Sequence, residues 1–318
     1  MYKLIFSLIL LSSSLLSNVD LIDIYRSHGI KEVEKIINKQ LKSKKYWEGT
    51  LQDKNINNGY YESLKYVVMC NKKNKEIKVY DTKKDDVIYS STVLIGKNSG
   101  NKVKEGDLKT PTGAYKIVAK LDKLDPFYGP FALESNYPND FDRVLNKTGH
   151  GIWIHGVPYN EKRDPFTKGC IALPNKNLKT LGSSINIKKS ILIISENKSP
   201  KVKKEDIAII LSEIYKWTQA WEDSDLEKYL SFYSKDFKRK DKSGIEQFKA
   251  YKKRIFEKSK YKTILFSDIN IIPYPNDLGK KMFRITMHED YKADNYKFVG
   301  KKILYVELVN NKMKILFE

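Results

Sequence analysis

Cysteine is nearly absent: Cys70 and Cys170 are the only two in 318 residues. A small secreted domain stapled by disulfides would carry more, so the fold must stand on its apolar core. Histidine numbers only four. These His and Cys positions lack metal-ligand spacing, so neither a metal nor another cofactor is expected. No internal repeat is evident, and beyond the first residues no apolar run is long enough to span a membrane. A basic stripe interleaved with aromatics, the mark of a nucleic-acid binder, is also missing.

What is present starts at the N-terminus. Met1-Tyr2-Lys3 precedes an apolar run from Leu4 to Leu16 broken only by serines, with Ser17 as a cleavage position. We read residues 1–17 as a secretory signal peptide. A membrane anchor would need about 20 apolar residues, and no cysteine follows to accept a lipid. Outside the cytoplasm, the net charge of +20 cannot serve chromosomal DNA. It comes from dispersed lysines with short clusters, such as Lys42-Ser43-Lys44-Lys45 and Lys201-Val202-Lys203-Lys204. These suit an anionic cell-wall polymer or are simply a solvated Lys-rich surface.

The length suggests about two domains. Residues 18–60 form a helical N-terminal segment, in which Ile30 to Leu41 repeats apolar residues at helical spacing. Its buried face has two candidate covers, the next domain or a second copy of the chain. From Tyr66 the period shortens. Strands are expected at Tyr66–Cys70, Ile77–Asp81, Val87–Tyr89, Ser91–Gly96, Gly113–Ala119, Gly151–His155 and Ile191–Ile194. They describe a mostly antiparallel β domain over residues 61–195, with a short helix capped by Asn175, carrying Leu178 and Leu181 on one face and stopped by Gly182. Residues 196–202, polar and proline-containing, are the linker. In residues 203–318 a long helix marked by Ile207, Ile210, Leu211, Ile214, Trp217 and Trp221 and a second from about Asp225 precede strands at 263–266, 269–272, 282–287, 298–309 and 313–317. Helices followed by strands describe an α+β domain.

Candidate chemistry concentrates at Ile152-Trp153-Ile154-His155-Gly156 and, one loop later, Thr167-Lys168-Gly169-Cys170-Ile171-Ala172-Leu173. A thiol attacks only as thiolate, so Cys170 needs a base or positive surroundings. His155 is the candidate base, and Lys168 adds positive charge. Gly169 permits a sharp turn and leaves the amides of Gly169 and Cys170 to point at a developing oxyanion. Cys70 reads as a buried small hydrophobe; a bond to Cys170 would consume the nucleophile. His150 has the opposite strand parity from His155 and faces away. The aromatic and proline-rich stretch from Asp125 to Asn146 is either a lid or binding wall, or packing.

These motifs resemble the L,D-transpeptidase (YkuD-fold) family, whose signature is His-Gly, a spacer, then Ser/Thr-His-Gly-Cys-apolar-Arg. The upstream Gly106-Asp107-Leu108-Lys109-Thr110-Pro111-Thr112-Gly113 resembles its Thr-Pro-x-Gly element. Tyr137-Pro138-Asn139, Asp142 and Gly149-His150-Gly151 match a subgroup. The resemblance implies a YkuD-like β-sandwich with a short helix, catalysis by Cys170 and His155, and orientation of His155 by the Gly156 carbonyl. Two positions depart: the second His is Lys168, and the Arg after the Cys is Ala172. Arg163, Arg143 or Lys168 would then supply the missing carboxylate contact, with Tyr137, Trp153 and Thr167 also beside the substrate.

Both departures are similar to L,D-carboxypeptidases that set helical cell shape and carry a nuclear-transport-factor-2-like (NTF2-like) C-terminal domain. Trp217–Asp223 and Leu230–Phe237 match that domain here. The implied substrate is the peptidoglycan tetrapeptide stem in the periplasm of a Gram-negative bacterium, losing its terminal D-Ala. L,D-transpeptidation and a catalytically silent wall-binding scaffold are the competing readings. A papain-like protease fits poorly, because there the Cys precedes the His. The C-terminal domain carries no motif that demands chemistry; its partner is left open, and its concavity is a pocket or purely structural.

Overall fold

The computed structural model describes residues 18–159, 163–197, 201–258, 261–294 and 296–318. The expected signal peptide, and residues 198–200 of the expected linker, lie outside the described residues. Three helices open the chain: α1 (Asn18–His28), α2 (Ile30–Leu41) and α3 (Lys44–Thr50). Ser43 caps α3 by accepting from the Tyr46 amide, satisfying a donor the helix leaves open. Trp47 and Leu51 are buried in the core of the C-terminal domain, with Leu41 and Tyr46 packed against it. The segment therefore folds onto the last domain of the chain. Ile22, Tyr25 and Ile30 remain exposed.

A two-residue strand, β1 (Tyr60–Tyr61), ends this segment. The central domain follows with β2 (Tyr66–Asn71), β3 (Glu76–Asp81), β4 (Asp86–Thr92), β5 (Gly113–Leu121), β6 (Ala132–Ser135), α4 (Asp140–Val144), β7 (Trp153–His155), β8 (Ile171–Ala172), α5 (Asn175–Ser184) and β9 (Ser190–Ser195). The strand order is β4-β3-β2-β9-β5-β6-β7-β8. Antiparallel pairs dominate, with β2/β9 and β7/β8 parallel. The sheet curls back on itself, because past β4 the chain bridges the far edge at Leu94↔Ala172 and Gly96↔Thr167. The enclosed core holds Val68, Cys70, Tyr115, Leu133, Ile154, Ile171, Leu178 and Leu192. This is the β-sandwich with a short helix that the resemblance implied.

Four local expectations are corrected. Ser91–Gly96 is no separate strand: its first residues extend β4, and the rest form the bridge. Asn175 is inside α5, and Pro174 is the N-cap residue; the Asn side chain is engaged elsewhere. Gly182 does not stop α5 but lies within it under Phe131, whose ring would be 2.6 Å from a Cβ there. The stretch from Asp125 to Asn146 is no open excursion. It contains a 3-10 turn at Pro126–Tyr128, β6 and α4.

The C-terminal domain comprises α6 (Lys204–Glu222), α7 (Leu226–Ser231), β10 (Tyr233–Lys238), α8 (Ile245–Lys258), β11 (Lys262–Pro273), β12 (Met282–Ala293), β13 (Tyr296–Val309) and β14 (Lys312–Phe317). The sheet runs β1-β11-β12-β13-β14-β10. Thus β1 pairs with the last domain, Tyr60 opposite Ile271. The two strands expected at 263–272 are one, with an irregularity between Ser267 and Asn270, where Asp268 has φ 55°. Between the domains Phe141, Ala114, Ile191 and Ile193 meet Ile272, Tyr274, Tyr305 and Phe317 in a shared apolar layer. Phe141 stacks on Tyr305 at 4.7 Å. Among the described residues, no helix is long and apolar enough to cross a membrane.

Candidate active site

The parallel pairing of β7 with β8 sets Ile154 beside Ile171 and His155 beside Ala172. One step earlier in that register Trp153 faces Cys170. Side chains alternate along a strand, so Trp153, His155 and Cys170 project from the same face. The turn before β8 is braced from behind. Thr167 accepts from Lys97 and donates to the Ile95 carbonyl through its backbone, while its hydroxyl donates to the Cys170 carbonyl at 2.7 Å. Gly169 sits at φ +139°, and a Cβ there would lie 2.8 Å from the Lys109 carbonyl, so both conformation and space demand glycine. The Cys170 thiol donates to the Gly151 carbonyl at 3.3 Å.

His155 is only 1% exposed. Its Nδ1 lies 2.7 Å from the Gly156 carbonyl. A carbonyl can only accept, so the proton sits on Nδ1 and Nε2 keeps the lone pair. The carbonyl is itself held. Asn175 Oδ1 accepts from the Val157 amide at 2.9 Å, and Asn175 Nδ2 donates to the Val157 carbonyl at 2.9 Å. A Cβ on Gly156 would fall 2.2 Å from that Oδ1. The Gly156 amide donates to the Tyr128 carbonyl at 2.8 Å, and the Tyr128 ring meets the imidazole edge-on at 5.0 Å.

Burial governs the electrostatics. It pushes His155 down to about 4, helped by the Arg163 charge and opposed by the Gly156 carbonyl. Burial also raises the Cys170 thiol, against the pull of the Trp153 backbone N–H, Arg163 and Lys102. At neutral pH both groups on this face rest neutral, Cys170 as the thiol and His155 as an imidazole with a free Nε2.

The remaining expected site residues separate into those near Cys170 and those elsewhere. Arg163 stacks on Phe127 at 4.9 Å, and the edge-on contact of Phe127 with Tyr128 continues to Trp153. The Arg163 Nε and Nη1 and the Trp153 Nε1 are buried without a hydrogen-bond partner. Lys168 is exposed, and the cations acting on Cys170 are instead Arg163 and the buried Lys102, which is ion-paired to Asp107 at 2.7 Å. The Gly169 amide is not open to an oxyanion: it donates to the Thr167 hydroxyl at 3.0 Å. Thr167 is buried. Tyr137 is a core residue whose hydroxyl donates to the Thr148 carbonyl at 3.1 Å. Arg143 pairs with Asp140 at 3.3 Å on α4, the helix that packs on the C-terminal domain. His150 is exposed beside Glu105. Sequence reasoning missed Lys102, Tyr128 and the clamp of Asn175. Only Asn175 carried a signal, its place just after the Cys strand, and that signal reads equally as a helix cap. Both cysteines are free thiols.

Comparison with known proteins places both domains. Residues 65–193 match the L,D-transpeptidase catalytic domain, and residues 209–318 match the Cds6 C-terminal NTF2-like domain. Two structures of the helical cell shape determining protein Pgp2 from Campylobacter jejuni, one of them a point mutant, are each 43% identical. They cover 87% and 86% of this chain and 98% of each of those chains, with TM-scores of 0.83 and 0.81. Bd1075 from Bdellovibrio bacteriovorus is 27% identical over 82% of this chain and 94% of that one, with a TM-score of 0.66. Comparison with curated proteins gave no match.

Proposed function

This chain belongs to the L,D-transpeptidase family, and we propose that within it the protein is a periplasmic peptidoglycan L,D-carboxypeptidase that shapes the cell, with Cys170 as nucleophile. The observation that carries this reading is the tautomer of His155: Nδ1–H is fixed on the Gly156 carbonyl, so a basic Nε2 lies on the sheet face that also bears Cys170. The relative named for helical cell shape, matched over 98% of its chain in each of two structures, supports the cellular role.

The reaction follows from these groups. As Cys170 Sγ bonds to the carbonyl carbon of the diaminopimelate residue, its proton passes to His155 Nε2. The tetrahedral adduct collapses when that proton moves to the departing nitrogen, releasing D-Ala and leaving a thioester. Water, deprotonated by the same Nε2, then cleaves the thioester and frees a tripeptide stem. We assign the oxyanion to the Cys170 amide, because the Gly169 amide is already used by Thr167. Incubation of the purified protein with muropeptide tetrapeptides should give equal amounts of tripeptide and free D-Ala. Cross-linked dimer as the main product would make it a transpeptidase instead.

A further inference from the structure

Beside the nucleophile the protein leaves hydrogen-bond donors unused. The Arg163 Nε and Nη1 and the Trp153 Nε1 are all buried without a partner. Among the described residues no carboxylate lies within ion-pair distance of Arg163, although ion pairs are frequent elsewhere on the surface. A half-buried cation without a contacting ion-pair partner is unfavourable unless something else supplies one, and the neighbouring Asp164 acts on it only from beyond that distance. The guanidinium is held in place by stacking on Phe127, so it is presented in a fixed orientation rather than waving in solvent. Its charge is felt at both Cys170 and His155, which puts it within electrostatic reach of the reacting atoms.

We propose that Arg163, assisted by the Trp153 indole N–H, binds the free C-terminal carboxylate of the substrate and so makes this an exo-acting enzyme, confined to stems that end one residue past the scissile bond. The proposal rests on the carboxypeptidase reading and deepens it. In a tetrapeptide that carboxylate is only three bonds from the carbonyl under attack, whereas the other carboxylates of the stem are further along the chain. A cation that acts on the nucleophile is therefore placed for the terminal one. An Arg fork matches a carboxylate through two parallel N–H donors, Nε with Nη2 or Nη1 with Nη2, and the two unpartnered nitrogens, Nε and Nη1, lie one on each of those edges. A stem extended by another residue, or one whose terminus is amidated, presents no anion there and leaves the buried donors unmet. Sites built around buried polar groups reject such analogues strongly.

Binding tests this without relying on turnover. In a Cys170→Ala background, calorimetry compares a tetrapeptide ending in free D-Ala with the same peptide as its C-terminal amide. With Arg163 intact the acid should bind about 30-fold more tightly than the amide, the scale of a charged hydrogen bond. Adding Arg163→Met should bring the two within about threefold by weakening the acid alone, Arg163→Lys should keep part of the preference, and Trp153→Phe should reduce it less. An unchanged preference in Arg163→Met, or none with Arg163 intact, overturns the proposal. An unshifted melting temperature establishes that the variants are folded. Release of D-Ala by the wild type is measured separately: its absence would sink the carboxypeptidase reading, while the binding ratio would still decide the role of Arg163.

Discussion

Around Cys170, burial removes charge: His155 is pushed down to about 4 and the thiol is raised, so both groups rest neutral. In the interior of the C-terminal domain a buried carboxylate, Glu318, keeps its charge because partners are built around it. Lys302 meets Glu318 at 3.2 Å, Tyr233 donates to Glu318 at 3.0 Å and to the Tyr229 hydroxyl at 2.6 Å, and Lys252 lies over the Trp221 ring at 4.4 Å. Burial pushes Glu318 up, but Lys302, Lys252 and Tyr233 outweigh it and hold the carboxyl below its usual range. The same low-dielectric physics thus gives two outcomes, set by whether a counter-charge was built in. The first region is left free to change protonation, as the proposed reaction requires. The second is a network already closed among its own acids and bases.

The sharpest way to break this contrast is to remove the sulfur. Cys170→Ala should lower D-Ala release from tetrapeptide by at least about ten-thousandfold, followed by chromatography of the muropeptides, with little change in melting temperature. Retention of activity would mean that the neutral pair is not the reactive centre. Next, His155→Gln should cost roughly a hundred- to ten-thousandfold, and the pH profile of the wild type carries the finer test. Because the base is neutral above about 4, kcat/KM should rise through about pH 4 and stay level across neutrality. A rise centred near 6.5, where an ordinary imidazole titrates, would show that burial does not control His155. A smaller loss, about tenfold, is expected for Asn175→Ala, which frees the Val157 backbone and with it the Gly156 carbonyl that fixes the tautomer. If that variant matches wild type, the clamp holds the loop without positioning the base.

How much of this was legible in the sequence follows the same division. His155 and Cys170 could be paired because strand parity and a glycine turn are local properties, and both lie in contiguous motifs. The β-sandwich, the helices α2 and α6, and the long C-terminal strands were legible for the same reason: their apolar periodicity is written in consecutive residues. Less visible was what depends on contacts between distant segments. Lys102 looks like any other lysine in so basic a chain, yet folding buries it beside Asp107 and within electrostatic reach of Cys170. The Gly169 amide reads as free in the sequence, yet in the fold it donates to the Thr167 hydroxyl. Tyr137 belonged to a family motif but serves the core. Helix α8 went unread because one of its buried positions is Lys252, a charge on what pattern reading takes for the wet face. The join of β1 to β11 spans about two hundred residues, beyond the reach of any local pattern.

Lys252 offers the finest discrimination between the two regions, since its change should alter stability and leave chemistry alone. Burial lowers its pKa to about 8, opposed by Glu318, against about 10.4 in an unfolded chain. Above pH 10.4 neither state is charged. As pH falls toward 8 the unfolded chain takes up the proton first, so folding loses stability across that window, and the loss is complete below it. The scale is on the order of 3 kcal/mol for a shift of this size. In Lys252→Met this share of the slope should vanish, leaving that of Lys301, which burial also lowers to about 8, so the variant should gain on wild type as pH is lowered from 10 to 8, measured by urea unfolding followed through tryptophan fluorescence. Its turnover of a soluble tetrapeptide should be unchanged. The corresponding loss for His155 falls on the acid side, between about pH 6.5 and 4, so the two signatures do not overlap. Parallel pH slopes in wild type and Lys252→Met would mean that the interior of the C-terminal domain is wet, and that Lys252 is solvated there at little cost.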